Sequence, residues 1–255
     1  MRIAVISDPH GNLPALEAVL ADVARQGVER TVCLGDLAFK GPFPDECVSL
    51  IRERGIPCVY GNTDIFLLTA AGRADGAAAP GWTLTEDERP YLDWHVARLS
   101  SANLEYLASL ELQFRLDVAG EPLLFVHATP QDCQSAIRPD DPPERLRARV
   151  AGAACRWLVM GHIHEPFLRR FDGKWLINTG AIGFSLDRDW RAAYAIIDPS
   201  SGRVEFRRVE YDLESVVRAA EQRAFCFNPA WYGEALRQGW WEPIPYARRR
   251  ALDAR

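Results

Sequence analysis

The sequence predicts an α/β fold, and three observations carry that prediction. Five short apolar runs each end in a polar motif, helical patterns separate several of these runs, and the pattern changes to paired strands after residue 185. The first run, IAVIS (3–7), leads into Asp8-Pro9-His10. TVCL (31–34) leads into Gly35-Asp36, and PCVY (57–60) into Gly61-Asn62. PLLFV (122–126) leads into His127, and RWLVM (156–160) into Gly161-His162-Ile163-His164. Runs this short, bounded by Gly and polar residues, read as buried strands of a largely parallel first sheet.

Between the first two runs, residues 14–26 place Leu16, Val19, Leu20 and Val23 on one stripe, with Pro14 suited to a first helical turn. Residues 44–54 have a similar pattern. Residues 65–113 are rich in Ala and Leu and read as a helical insertion, interrupted by a loop near Gly72–Gly81, that is placed to cap a site. AAYAIID (192–198), a Pro-Ser-Ser-Gly turn and RVEFRRVEYD (203–212) read as a β-hairpin. Residues 213–255 form a C-terminal tail with one or two helices over 213–240. Nothing repeats, so the 255 residues read as a single domain.

Composition removes several function classes. A formal charge of −5 argues against a general nucleic-acid binder, which needs a basic face. No apolar run approaches the roughly 18 residues of a membrane span. The N-terminus lacks the long apolar segment and cleavage site of a signal peptide, so a cytoplasmic location is expected. The six cysteines include no CxxC pair; Cys33, Cys58 and Cys155 lie in or beside apolar runs and read as small buried hydrophobes. Lys40 and Lys174 are the only lysines among 30 basic residues, and this bias toward arginine carries no argument by itself.

In open α/β sheets, ligands bind beyond the carboxyl ends of the strands, and all five polar motifs fall there. Four of the five histidines (His10, His127, His162 and His164) lie at these strand ends with Asp8, Asp36 and Asn62. Neutral imidazole, carboxylate and an amide oxygen form a ligand set for divalent transition metals. Seven such groups are too many for one ion of four to six ligands and suit two ions sharing a carboxylate. Mn, Fe or Zn fits these donors better than Ca or Mg.

These residues resemble the calcineurin-like metallophosphoesterases: Asp8-x-His10, Gly35-Asp36, Gly61-Asn62, His127 and Gly161-His162-x-His164 stand in that family's order and spacing. The later Asn178-Thr179-Gly180-Ala181-Ile182-Gly183 resembles a segment of the small bacterial and archaeal phosphodiesterase branch, from which Thr179 and Ala181 depart. The resemblance implies two packed mixed β-sheets flanked by helices. It implies one ion on Asp8, His10, Asp36 and His164, a second on Asp36, Asn62, His127 and His162, and Asp36 as the bridge. Asp36, Asn62 and His127 would lie at the reacting centre. The implied activity is metal-dependent hydrolysis of a small phosphoester, a nucleotide-type diester or anhydride first, by a hydroxide held between the ions. The alternatives are a phosphomonoesterase, including a protein phosphatase, and a non-catalytic interaction scaffold like the related retromer subunit. All seven ligand positions are filled, which favours an enzyme. An oligomer is compatible with the sequence.

Many members of the family have a general-acid His directly after Gly-Asn, and here the residue is Thr63. His95, in YLDWHVARL, could replace that acid only if the insertion folded over the site, and its amphipathic setting favours a structural or surface role. Asp64 either orients a ligand histidine or caps the next helix. Asn178 either approaches the ions or closes a turn. Arg188 and Arg191 either clamp a phosphate or line a solvated loop. Trp82 and Trp94 either stack a base or pack a core, and Gly239-Trp240-Trp241 could cover an interface.

Overall fold

The computed structural model describes residues 1–74 and 79–240. The elements in order are β1 (Ile3–Ile6), α1 (Leu13–Ala24), β2 (Arg30–Cys33), α2 (Pro44–Glu53), α3 (Asn62–Ala70), α4 (Arg89–Val96), α5 (Ser101–Ser109), β3 (Gln113–Val118) and β4 (Glu121–Val126). They continue with α6 (Pro143–Arg149), β5 (Trp157–Met160), β6 (Phe167–Phe171), β7 (Lys174–Asn178), β8 (Ala192–Asp198), β9 (Arg203–Val209), α7 (Leu213–Gln222) and α8 (Pro229–Gln238). They form two mixed sheets, β2-β1-β8-β9 and β3-β4-β5-β7-β6.

Side-chain alternation stacks these sheets into layers. Ile3 and Val5 of β1 meet Phe125 of β4 and Trp157 and Val159 of β5 in the core between the sheets. Ala4 and Ile6 point the other way, into the core formed with α1, α2 and α7. Leu124, Leu158 and Met160 on the outer face of the second sheet pack with Leu146 of α6. Each large side chain buried this way contributes about 1.5–3 kcal/mol. The expected pair of sheets flanked by helices is therefore present. Among the described residues, no helix is long and apolar enough to cross a membrane.

Three expectations need correction. The first sheet is mixed rather than largely parallel: β1 pairs with β2 in parallel, but β8 joins β1 antiparallel and brings β9 with it as a hairpin. The motif runs are also divided, β1 and β2 in one sheet and β4 and β5 in the other. The run at 57–60 forms only two isolated bridges, Cys33 with Cys58 and Val59 with Glu111. Pro57 has no N–H to donate and α3 begins at Asn62, so no ladder extends from it. The β6–β7 hairpin has no counterpart in the sequence reading, and it turns at Asp172-Gly173 with both φ angles positive, 48° and 74°. Residues 241–255, which include Trp241 of the proposed interface tail, lie outside the described residues.

Candidate metal centre

The loops after the motif strands are tied to one another by their main chains. Asp8 N–H donates to Gly35 O at 3.0 Å and His10 N–H to Asp36 O at 2.9 Å, which fixes the β1 loop on the β2 loop. Gly161 N–H donates to His127 O at 2.9 Å and links the β4 and β5 loops. The Asn12 side chain caps α1 through Ala15 N–H and donates to Gly183 O at 3.1 Å, so the start of α1 also anchors the loop after β7. Five of the seven candidate ligands occupy left-handed backbone: Asp8 (φ 55°), His10 (48°), Asp36 (58°), His162 (70°) and His164 (60°). L-residues rarely adopt this region, and such strain concentrates at functional sites.

All seven side chains come together, six of them buried and His162 half-buried. Asp8, His10, Asp36 and His164 each offer one ligand atom, and those four atoms lie within 4.8 Å of one another. On the other side, Asn62 Oδ1 lies 3.0 Å from His127 Nε2 and 3.1 Å from His162 Nδ1. Asp36 joins the two groups: its Oδ2 is 3.6 Å from His10 Nε2 and 3.6 Å from His127 Nε2. Its Oδ1 is held by Thr63 N–H at 2.9 Å. Gly61 permits this approach, since a Cβ there would overlap Asp36 Oδ1.

The donors of this first group fit a bound cation. His10 and His164 each give their Nδ1–H to a main-chain carbonyl, of Phe39 and Phe184. Their Nε2 atoms must then carry lone pairs, yet they face each other at 3.1 Å. Two acceptors at that distance repel unless a cation lies between them. Asp8 Oδ2 accepts from Ser7 Oγ and His162 N–H, while Asp8 Oδ1 is buried with no hydrogen-bond partner. Such an orphan costs about 1–3 kcal/mol, which a bound metal would offset. Burial raises the Asp8 carboxyl, but the surrounding His164, His127 and His10 imidazoles hold it well below the usual carboxylate range. Burial, with His127 beside it, drives His162 down to about 3. The Asp8 carboxylate is thus ionised and the His162 imidazole neutral, the states in which each binds metal.

The residues that support these side chains are only partly legible in the sequence. Asp64 caps α3 through Gly61 N–H and also accepts from Asp36 N–H and Leu37 N–H, at 2.8 to 3.0 Å. It therefore fastens the backbone of Asp36 itself. Burial and the Asp36 charge push its carboxyl up to about 7, against these three donors. Ser7, next to a candidate ligand, and the three carbonyls that orient His10, His127 and His164 are set by tertiary structure, and a main-chain acceptor leaves no mark in sequence. Asn178 closes a turn, donating to Gly161 O and accepting from Gly180 N–H.

The other candidates make local contacts. His95 is fully buried, its Nδ1–H on Tyr91 O at 2.7 Å and its Nε2 accepting Lys40 N–H at 3.2 Å. Both ring nitrogens are thus used by main chain, so it holds no proton for a leaving group. Arg191 pairs with Asp189 at 2.7 Å, and Arg188 lies over the Trp240 ring. Trp82 stacks on Phe66, and Trp94 meets His95 edge-on.

Comparison with known proteins agrees with this geometry. A family model described as the calcineurin-like phosphoesterase superfamily domain matches residues 1–202. An uncharacterised protein of Methanocaldococcus jannaschii is 32% identical over 255 aligned positions, spanning 92% of this chain and 96% of that protein. The crystal structure of a metallophosphoesterase from Sphaerobacter thermophilus is 29% identical with a TM-score of 0.74, covering 94% of this chain and 99% of that one. A hypothetical protein of Pyrococcus horikoshii shares the fold at 21% identity and a TM-score of 0.80, over 93% and 98% of the two chains. By strand-end ligands, layered sheets and sequence match alike, this chain belongs to the calcineurin-like phosphoesterase superfamily.

Proposed function

We propose that this protein is a dinuclear metal-dependent phosphoesterase acting on small nucleotide-type diesters or anhydrides. The observation that carries the reading is the position of Asp36 Oδ2, 3.6 Å from an imidazole of each ligand group. Asp8, His10, Asp36 and His164 would hold one divalent ion and Asp36, Asn62, His127 and His162 the other. When bound, such a pair supplies Lewis-acid polarisation of a phosphoryl oxygen and an acidified water as nucleophile. The protein fixes the geometry: carbonyls of Phe39, Leu34 and Phe184 set the tautomers of His10, His127 and His164, and Thr63 N–H and the Asp64 cradle hold Asp36. Thr63 offers no acid for the leaving oxygen, since its hydroxyl is buried without a partner and is far too weakly acidic. The departing group must then leave as a stable anion, which favours aryl-like diesters and anhydrides over alkyl monoesters.

The test is calorimetric titration of metal-free protein with Mn, followed by kcat/KM on a panel of aryl diesters, anhydrides and monoesters. Two equivalents of bound Mn and diester or anhydride turnover that requires both are expected. A single equivalent at saturation overturns the dinuclear centre, a panel led by monoesters moves the assignment to a phosphatase, and two ions without turnover favour a scaffold.

A further inference from the structure

Among the described residues, three large apolar side chains are exposed, and apart from Met1 they are Leu168 and Phe206, at 43% and 40%. Both lie on edge strands, Leu168 on β6 and Phe206 on β9. Register puts them in one layer. Leu168 pairs with Ile177, and Val204, two residues before Phe206, pairs with Ile197. Ile177 and Ile197 belong to the core between the sheets, so Leu168 and Phe206 project toward the rim of that core. The two edges lie on the same side of the sandwich. Val204 of β9 and Trp175 of β7, the strand beside β6, pack on this core, and a Cβ on Gly202 in the β8–β9 turn would touch the Trp175 ring. Among the described residues, no main-chain hydrogen bond reaches residues 203–209 from outside β8. The outer edge of β9 therefore presents a row of unpaired N–H and C=O groups. Charge usually blunts such an edge, but the charges of β9 are matched. Arg208 pairs with Asp187. Arg207 pairs with Asp22 and with Glu205, at 2.8 Å each, and Glu205 also reaches Arg203 at 3.5 Å.

We infer that β9 is the interface of a two-fold symmetric homodimer, in which it pairs antiparallel with β9 of a second copy. The twofold must pass through a residue, because opposed side chains share a face and the side-chain period is two. Phe206 is the middle residue of β9, so a twofold there pairs all seven residues of the strand. It opposes Glu205 of each copy to Arg207 of the other, and Phe206 to its own counterpart. No like charges face each other in this register. A shift of the twofold to Glu205 or to Arg207 opposes that residue to its own copy, which is destabilising. Charge thus selects one register, and that register also takes the Phe206 edge out of water. The sheets of the two copies then run on as one, β2-β1-β8-β9 continuing into β9-β8-β1-β2 of the second copy. This interface does not depend on the phosphoesterase reading.

Sedimentation equilibrium of the full-length chain measures the assembly, which should have twice the 28.6 kDa of one chain. Phe206→Glu, Glu205→Arg and Arg207→Glu, each checked for folding by circular dichroism, should raise the dimer dissociation constant by about 10-fold or more, since the twofold doubles every pair of like charges. An equimolar mixture of Glu205→Arg and Arg207→Glu should restore the dimer, because the register then opposes each arginine to a glutamate. Wild type that stays monomeric, a dimer that none of the variants weakens, or a mixture no more dimeric than its parts overturns the inference. Where loss of the Asp22 pair unfolds Arg207→Glu, Phe206→Glu decides: a folded monomer supports the interface and an unchanged dimer overturns it.

Discussion

The two candidate ligand groups of this centre are built differently. In the group of Asp8, His10 and His164, every side chain is sealed, at 0 to 3% exposure, and both imidazoles are aligned by main-chain carbonyls. In the group of Asn62, His127 and His162, only His127 has such an anchor, on Leu34 O at 2.7 Å. His162 is half-buried and is placed against Asn62, a side chain 8% exposed. The first group is the more enclosed and more firmly oriented of the two, and the second is the more exposed. Rigid ligands lose less freedom on binding, so the first cage should hold its ion more tightly.

The widest test of this asymmetry removes what the groups share. Asp36→Asn should lower kcat/KM by on the order of 10³-fold, more than any other single ligand change, and reduce bound Mn below two equivalents. If Asp36→Asn keeps most of the activity while His10→Ala loses it, the two groups are not joined through Asp36. Next come the groups themselves. Graded chelation should remove Mn in two phases, the weaker one abolished in His162→Ala and the tighter one in His10→Ala. Phases that merge in wild type would mean the cages are equivalent. A smaller effect is expected for Gly61→Ala, whose Cβ would push on Asp36 Oδ1. A loss of about 10–100-fold in metal affinity or kcat/KM, with the fold intact by circular dichroism, is the expected result.

The smallest effect concerns His95, outside both groups. Burial lowers its pKa to about 4 from the usual 6.5. Between those values the unfolded chain takes up the proton first, so the stability contributed by the neutral ring is complete above pH 6.5 and is lost as pH falls through 4. The full change is about 3 kcal/mol. Denaturant unfolding of wild type and His95→Gln at pH 7 and pH 4 should show the variant losing less stability on acidification. Equal losses would place the acid sensitivity elsewhere.

The clustering of the seven candidate residues was legible because each follows a short apolar run: six follow runs that form strands whose ends meet at one edge, while the run before Asn62 forms only isolated bridges. The division into two sheets was not legible from those runs, since β1 and β5 are both continuous apolar stretches and nothing local says which sheet either joins. The β6–β7 hairpin did leave a signal, Asp172-Gly173 between two alternating segments, which its arginines obscured. A structural role for His95 followed from its amphipathic setting, but its bond to Lys40 is a tertiary contact that no local pattern encodes.

The division of the motif strands has a mechanical consequence. Asp8, His10 and Asp36 follow strands of one sheet, and His127, His162 and His164 follow strands of the other. Ions held by all of them would rivet the sheets together at one rim and stop them sliding over their shared apolar core. Metal loading should then slow amide hydrogen exchange throughout β1 and β5, well inside the sandwich, as well as in the loops that carry the ligands.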